Sequence, residues 1–99
     1  MEARRAVIMH RDDNVATAVE EIRAGEEVAL SAGGTALPLR AIEAIPFGFK
    51  IALQDIVKGG IIRKYGETIG TAGATIAKGA LVHIHNLEGT RARGDLPGR

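Results

Sequence analysis

Ninety-nine residues, 45% of them apolar and 25% charged, describe one domain with a modest core. A net charge of +1 with two phenylalanines and one tyrosine lacks the basic field and stacking platform of a nucleic-acid binder. No apolar run approaches the roughly 18 residues of a membrane span, and zero cysteines exclude disulfides, a thiolate nucleophile and an all-thiolate zinc site.

The four apolar residues that follow Arg5 are too few for a signal-peptide core, so a cytoplasmic domain is expected. It is short for a free-standing enzyme, which raises the prospect of a site shared with a partner. In chain order, Arg5-Ala6-Val7-Ile8-Met9 reads as an opening strand with a β-branched centre. A polar loop, His10-Arg11-Asp12-Asp13-Asn14, comes next. Val15, Ala18, Val19 and Ile22 then fall at i, i+3, i+4 and i+7, which predicts an amphipathic helix capped by Asp13 or Asn14 and ended at Gly25. Glu27-Val28-Ala29-Leu30 predicts a strand, and residues 31–35 a loop. Leu37, Leu39 and Ala41 alternate around Pro38, as in an edge strand. Phe47, Phe49, Ile51 and Leu53 alternate too, which sets Lys50 on the opposite face. Arg63-Lys64-Tyr65-Gly66 turns back on Glu67-Thr68-Ile69-Gly70. The ordered domain is expected over residues 1–88, with 89–99 a tail or linker stub.

A device repeats along the chain. Ile-x-x-Gly-x-x-(Val/Ile) occurs at Ile22/Gly25/Val28, Ile56/Gly59/Ile62 and Ile76/Gly79/Val82, each time after Glu21, Asp55 or Thr75. The isoleucine anchors a turn, the glycine supplies positive φ, and the β-branched residue opens a strand. Such units imply a mostly β fold with short, curled strands and short helices.

Three clusters could carry chemistry. Val82-His83-Ile84-His85-Asn86, if extended, puts His83 and His85 on one face. The pair could ligate a metal, line a substrate cleft, or simply face solvent; a metal would need a third ligand such as His10. Lys64 and Tyr65 beside Gly66 could clamp a carboxylate or serve as acid and base, or form a solvated hairpin. Residues 10–14 could form an anion site or an ordinary helix cap. The Arg93-Gly94-Asp95 tripeptide reads as coincidence, and residues 66–73 lack phosphate-loop spacing.

In combination these motifs are specific. Asp13-Asn14-Val15-Ala16, Lys64-Tyr65-Gly66 and His83-Ile84-His85-Asn86-Leu87 resemble the small SAF-type domain of the altronate and galactarate dehydratases, shared by the small subunit of (2R)-sulfolactate sulfo-lyase. The resemblance spans roughly residues 7–88 and implies a mostly β, SAF-type β-clip. It implies the small subunit of a two-chain lyase that removes water or sulfite from a sugar acid or 2-hydroxy acid, inactive alone. His83, His85 and Tyr65 would be catalytic, and His10, Asn14, Lys50, Lys64 and Asn86 substrate-binding. A divalent metal (iron, manganese or magnesium) would sit in the large subunit, with none in this chain. In isolation the uncovered domain could pair with a second copy. The family's usual Gly-His-Lys reads Gly48-Phe49-Lys50 here, which retains the lysine but not the proton-transferring histidine. The alternative is a non-catalytic SAF-type module that recognises a sugar or a protein.

Overall fold

The computed structural model of the protein describes residues 5–31 and 39–89. Eight short strands form two sheets: β1 (Ala6–Val7), β2 (Val15–Ala18), β3 (Leu30–Ser31), β4 (Lys50–Ala52), β5 (Ile61–Lys64), β6 (Glu67–Ala72), β7 (Leu81–Val82) and β8 (Leu87–Gly89). The larger sheet runs β3-β1-β2-β4-β7, antiparallel except for the parallel β1–β3 pair. The smaller runs β5-β6-β8 and is antiparallel throughout. Among the described residues no segment is helical, so the mostly β expectation holds and its short helices do not. No helix there is long and apolar enough to cross a membrane. The loop expected over 31–35 lies largely outside the described residues, as do Leu37, Pro38 and all but the first residue of the expected tail.

The helix expected from Val15 to Ile22 is instead β2, the central strand of the larger sheet. Its backbone pairs with β1 on one side and β4 on the other, and both of its faces are covered. Ala16 and Ala18 pack with Ile22, Ile45 and Ile51 in one core cluster, while Val15 packs with Ala52, Ile62, Ile76 and Val82 in the other. A strand buried on both faces carries apolar residues on each, and over so few residues this imitates a helical stripe. Val15, Thr17 and Val19 alternate as β-branched residues, the pattern that suits a strand.

The glycine device is present four times, not three. Gly25, Gly48, Gly59 and Gly79 all have φ between 84° and 88°. Each sits third in a turn closed by an i to i+3 backbone bond: Glu26 N–H to Arg23, Phe49 to Pro46, Gly60 to Val57 and Ala80 to Ala77. A positive φ at that place defines a type II turn and excludes most side chains. Ile45/Gly48/Ile51 fits the same Ile-x-x-Gly-x-x-(Val/Ile) spacing and differs only in having Ala44 where the other copies have an acidic or hydroxyl residue. The turns are joined in pairs. Ile22 and Ile45 exchange both backbone bonds at 2.9 and 2.8 Å, and Ile56 and Ile76 do the same at 2.8 Å each way. All four isoleucines are buried, so each pair is also a packing centre of its cluster.

Two of these glycines separate backbone strain from steric clash. A methyl group at Gly59 meets nothing within 4 Å, whereas one at Gly79 would strike the Arg40 carbonyl. Gly59→Ala is expected to cost about 1–2 kcal/mol, from strain alone. Gly79→Ala should cost about 3 kcal/mol or more, because overpacking adds to the same strain. Urea-denaturation midpoints at constant slope measure both; equal losses would refute the distinction.

Candidate functional site

Two side chains just before β2 tie the sheets together. The Asp13 carboxylate accepts hydrogen bonds from the backbone N–H groups of Tyr65 (3.0 Å) and Gly66 (2.8 Å). Asn14 donates from Nδ2 to the Ile61 carbonyl at 2.8 Å and accepts from the Arg63 N–H at 2.8 Å. Both side chains are buried. Neither caps a helix; both bind backbone groups some fifty residues away in sequence, as the 47- to 53-residue separations record. Asn14, expected to bind substrate, thus spends its side chain on β5.

The turn that Asp13 holds is unusual. Lys64 pairs with Glu67, leaving Tyr65 and Gly66 as a two-residue hairpin loop with φ of 60° and 74°. Positive φ at both places is the type I′ pattern, which favours asparagine and glycine. Tyr65 is therefore the one described non-glycine residue with positive φ. It stands in the turn itself, and the register of β5 shifts between Ile62 and Arg63. Its side chain is 60% exposed, so the phenol is presented to solvent. The ring of His10 packs against the same turn, where a Cβ at Gly66 would lie 2.9 Å from it. His10 Nδ1 accepts the Asp12 N–H at 3.1 Å.

Lys64 and Lys50 bring positive charge to the seam between the sheets. Lys64 Nζ lies 5.1 Å from the centre of the Tyr65 ring. Lys50 opens β4, paired with Thr17 on one side and Val82 on the other. Burial lowers the pKa of its ammonium from the ordinary lysine value, and repulsion from Lys64 lowers it further. Among the described residues the arginine ion pairs are Arg5 with Glu20 and Glu26, and Arg40 with Glu27, while the Asp12 carboxylate lies 3.7 Å from His10 Nδ1. Neither lysine has a carboxylate partner there. Two neighbouring ammonium groups, one half-buried, form a locus for an anion.

The second histidine cluster is not extended. β7 ends at Val82, and the chain turns through residues 83–86 into β8. His83 and His85 therefore do not project side by side from a strand. The His83 N–H donates to Asn86 Oδ1 at 2.9 Å, and Asn86 Nδ2 donates to the Leu81 carbonyl at 2.8 Å. Asn86 is the brace of this turn. The His83 ring lies against Phe49, centroids 4.3 Å apart and tilted by 41°, while His85 is exposed. Among the described residues no three His, Asp or Glu side chains gather so as to hold a metal.

The structure thus brings together His10, Lys50, Lys64 and Tyr65 about the hairpin and the start of β4. His83 lies against Phe49, which packs on the opposite face of β4 from Lys50, so it is not brought to this group. Asn14 braces the hairpin, and Asn86 the β7–β8 turn. Asp13 was read only as a cap, yet it fixes the turn that presents Tyr65. In sequence the pair has the composition of a helix cap, so no local signal marked this role.

Opposite effects on stability follow for this turn. Asp13→Ala should cost about 2–3 kcal/mol, since it leaves two N–H groups without their charged acceptor. Tyr65→Asn should instead stabilise by up to about 1 kcal/mol by relieving the left-handed strain. Chemical denaturation reads both, and destabilisation by Tyr65→Asn would refute the strain. Lys50 gives a pH test. Its charged form is disfavoured in the folded chain, so the cost is complete below the lowered folded pKa and fades as pH climbs toward about 10.4, the unfolded value. Lys50→Met should therefore raise the melting temperature at pH 7, by a margin that shrinks in alkali; a margin independent of pH would overturn this.

Comparison with known proteins identifies the family of the domain. Residues 4–90 match the family model of the altronate/galactarate dehydratase SAF domain. The chain is 44% identical over 78 residues to an altronate dehydratase of Escherichia coli, covering 79% of this chain but 15% of that protein. An altronate dehydratase of Bacillus subtilis is 40% identical, with the same 15% covered. The chain therefore spans about a seventh of the length of these enzymes. The alpha subunit of (2R)-sulfolactate sulfo-lyase from Chromohalobacter salexigens is 31% identical over 88 residues, covering 86% of this chain and 94% of that subunit. By the extent of these matches, the chain belongs to the altronate/galactarate dehydratase SAF domain family.

Proposed function

We propose that this chain is the small subunit of a two-chain lyase acting on a sugar acid or 2-hydroxy acid. It supplies substrate-binding groups to a site shared with a large catalytic subunit. The observation that carries the reading is Lys50, half-buried at the start of β4 and within reach of the Lys64 charge on the facing hairpin, with neither lysine paired to a carboxylate among the described residues. A substrate carboxylate completes such a pair, exchanging repulsion between like charges for two charge-assisted hydrogen bonds. Neutralising that carboxylate also acidifies the neighbouring C–H, the bond a dehydratase must break. Matching a subunit of almost equal length supports a separate small chain.

Tyr65, exposed on its strained turn, is placed to exchange a proton with a substrate hydroxyl, with His10 beside the same turn. His83 and His85, on the β7–β8 turn, are retained in this reading as further proton-transfer groups. Asn14 and Asn86 act by bracing, through the backbone bonds given above. A divalent metal of the large subunit would supply Lewis-acid chemistry there. The described residues of this chain group no donor set for one. The proposed setting is cytoplasmic.

Co-expression with a neighbouring large dehydratase-like chain, followed by assay of water loss from sugar acids or sulfite release from sulfolactate, tests the reading. Lys50→Met and Lys64→Met should each raise KM about tenfold or more. Tyr65→Phe should lower kcat by about 100-fold. A large chain that turns over equally well without this one would refute the shared site and favour a separate binding module.

A further inference from the structure

One buried polar atom in the seam is left over. Thr17 Oγ1 is shielded from solvent and has no hydrogen-bond partner. Thr17 is the cross-strand partner of Lys50 in the β2–β4 pairing, and directly opposed residues of an antiparallel pair project from the same face. The neighbouring pair on that face is Val15 with Ala52, and both belong to the core cluster that β5 and β6 close. Thr17 and Lys50 therefore share the side of the sheet on which Lys64 lies. A hydroxyl hidden from water without a partner costs about 1–3 kcal/mol, and an isosteric valine at this β-strand position would remove that cost. The sequence keeps the hydroxyl on the cross-strand neighbour of Lys50, whose ammonium makes no ion pair with a carboxylate among the described residues.

We propose that Thr17 is the positioning residue for Lys50: when a carboxylate enters the seam, Lys50 donates one hydrogen bond to Thr17 Oγ1 and turns its remaining donors to the anion. This rests on the reading of the seam as a carboxylate site and assigns it a residue that no sequence motif marks. The ammonium has three donors and a long, rotatable stem. A fixed acceptor near its tip limits the arrangements it must give up on binding, which is how preorganisation raises affinity. The hydroxyl favours the charged form of Lys50 in the same step, opposing the burial and the repulsion from Lys64 that disfavour it.

The test uses this chain with gluconate, a polyhydroxy monocarboxylate, and follows the Lys50 side-chain carbon signal by NMR across a pH series. Gluconate should raise the apparent pKa of Lys50 in the wild type and in Thr17→Ser, and raise it less in Thr17→Val. Affinity should fall about tenfold in Thr17→Val and return in Thr17→Ser. The melting temperature of Thr17→Val without ligand should be equal or higher, since a buried orphan hydroxyl is gone. Wild-type binding and Lys50 titration retained in Thr17→Val, with binding lost in Lys50→Met, would overturn the role of Thr17 alone. A Lys50 signal that gluconate leaves unmoved in the wild type would overturn the carboxylate site and this proposal together.

Discussion

The site depends on one constraint: the buried Asp13 and Asn14 must have their hydrogen bonds met by the backbone of the β5–β6 hairpin. An ionised carboxylate and an amide taken out of water lose several kcal/mol unless their partners are replaced. Here Asp13 takes the N–H groups of Tyr65 and Gly66, and Asn14 takes Ile61 and Arg63. The hairpin cannot slide along the larger sheet without breaking several of these at once. Lys64 and Tyr65 ride on that hairpin, while Lys50 belongs to β4 of the other sheet. Their meeting at the seam is thus a consequence of four hydrogen bonds made by two adjacent residues.

The rest of the scaffold compensates for strands too short to hold a sheet by themselves. The longest, β6, has 6 residues, and β1, β3 and β7 have 2 each. Isolated hairpins of that size are marginal in water. The four type II turns supply the missing order, since each sends its glycine N–H across to an alanine carbonyl: Gly25 to Ala41, Gly48 to Ala18, Gly59 to Ala72 and Gly79 to Ala52. The isoleucine three places before each glycine buries its side chain at a bonded pair. Tight turns replace long ladders, and the edges they leave are where the functional side chains emerge.

Features set by short-range chemistry were legible in the sequence. The Ile-x-x-Gly units predicted positive φ at Gly25, Gly59 and Gly79, and Lys64-Tyr65-Gly66 predicted a hairpin. Lys50 does lie opposite Ile51 on β4, which enters the other core cluster. Long-range chemistry was not legible. Asp13 and Asn14 have the composition of a helix cap, and only partners some fifty residues away show that they bind a hairpin. β2 imitated a helix because both of its faces are buried, so alternation had no polar side to reveal. His83 and His85 seemed to share a face only while Asn86 was counted among the ligand-binding groups. Once its amide braces Leu81 and His83, the strand has to end at Val82.

Phe49 and Lys50 are neighbours in sequence but face opposite sides of the larger sheet. A phenyl ring neither gives nor takes a proton, yet its neighbour Lys50 keeps its charge and its place opposite Thr17. The ring lies on His83 at 4.3 Å, covering one face of the imidazole and fixing its orientation. Binding of an anion needs only charge and position, and both survive with phenylalanine at 49. Proton transfer needs a titratable group at the reacting carbon, which phenylalanine does not provide. In the proposed reading Lys50 and Lys64 therefore hold the acid, while its transformation depends on other groups, those of a second subunit included.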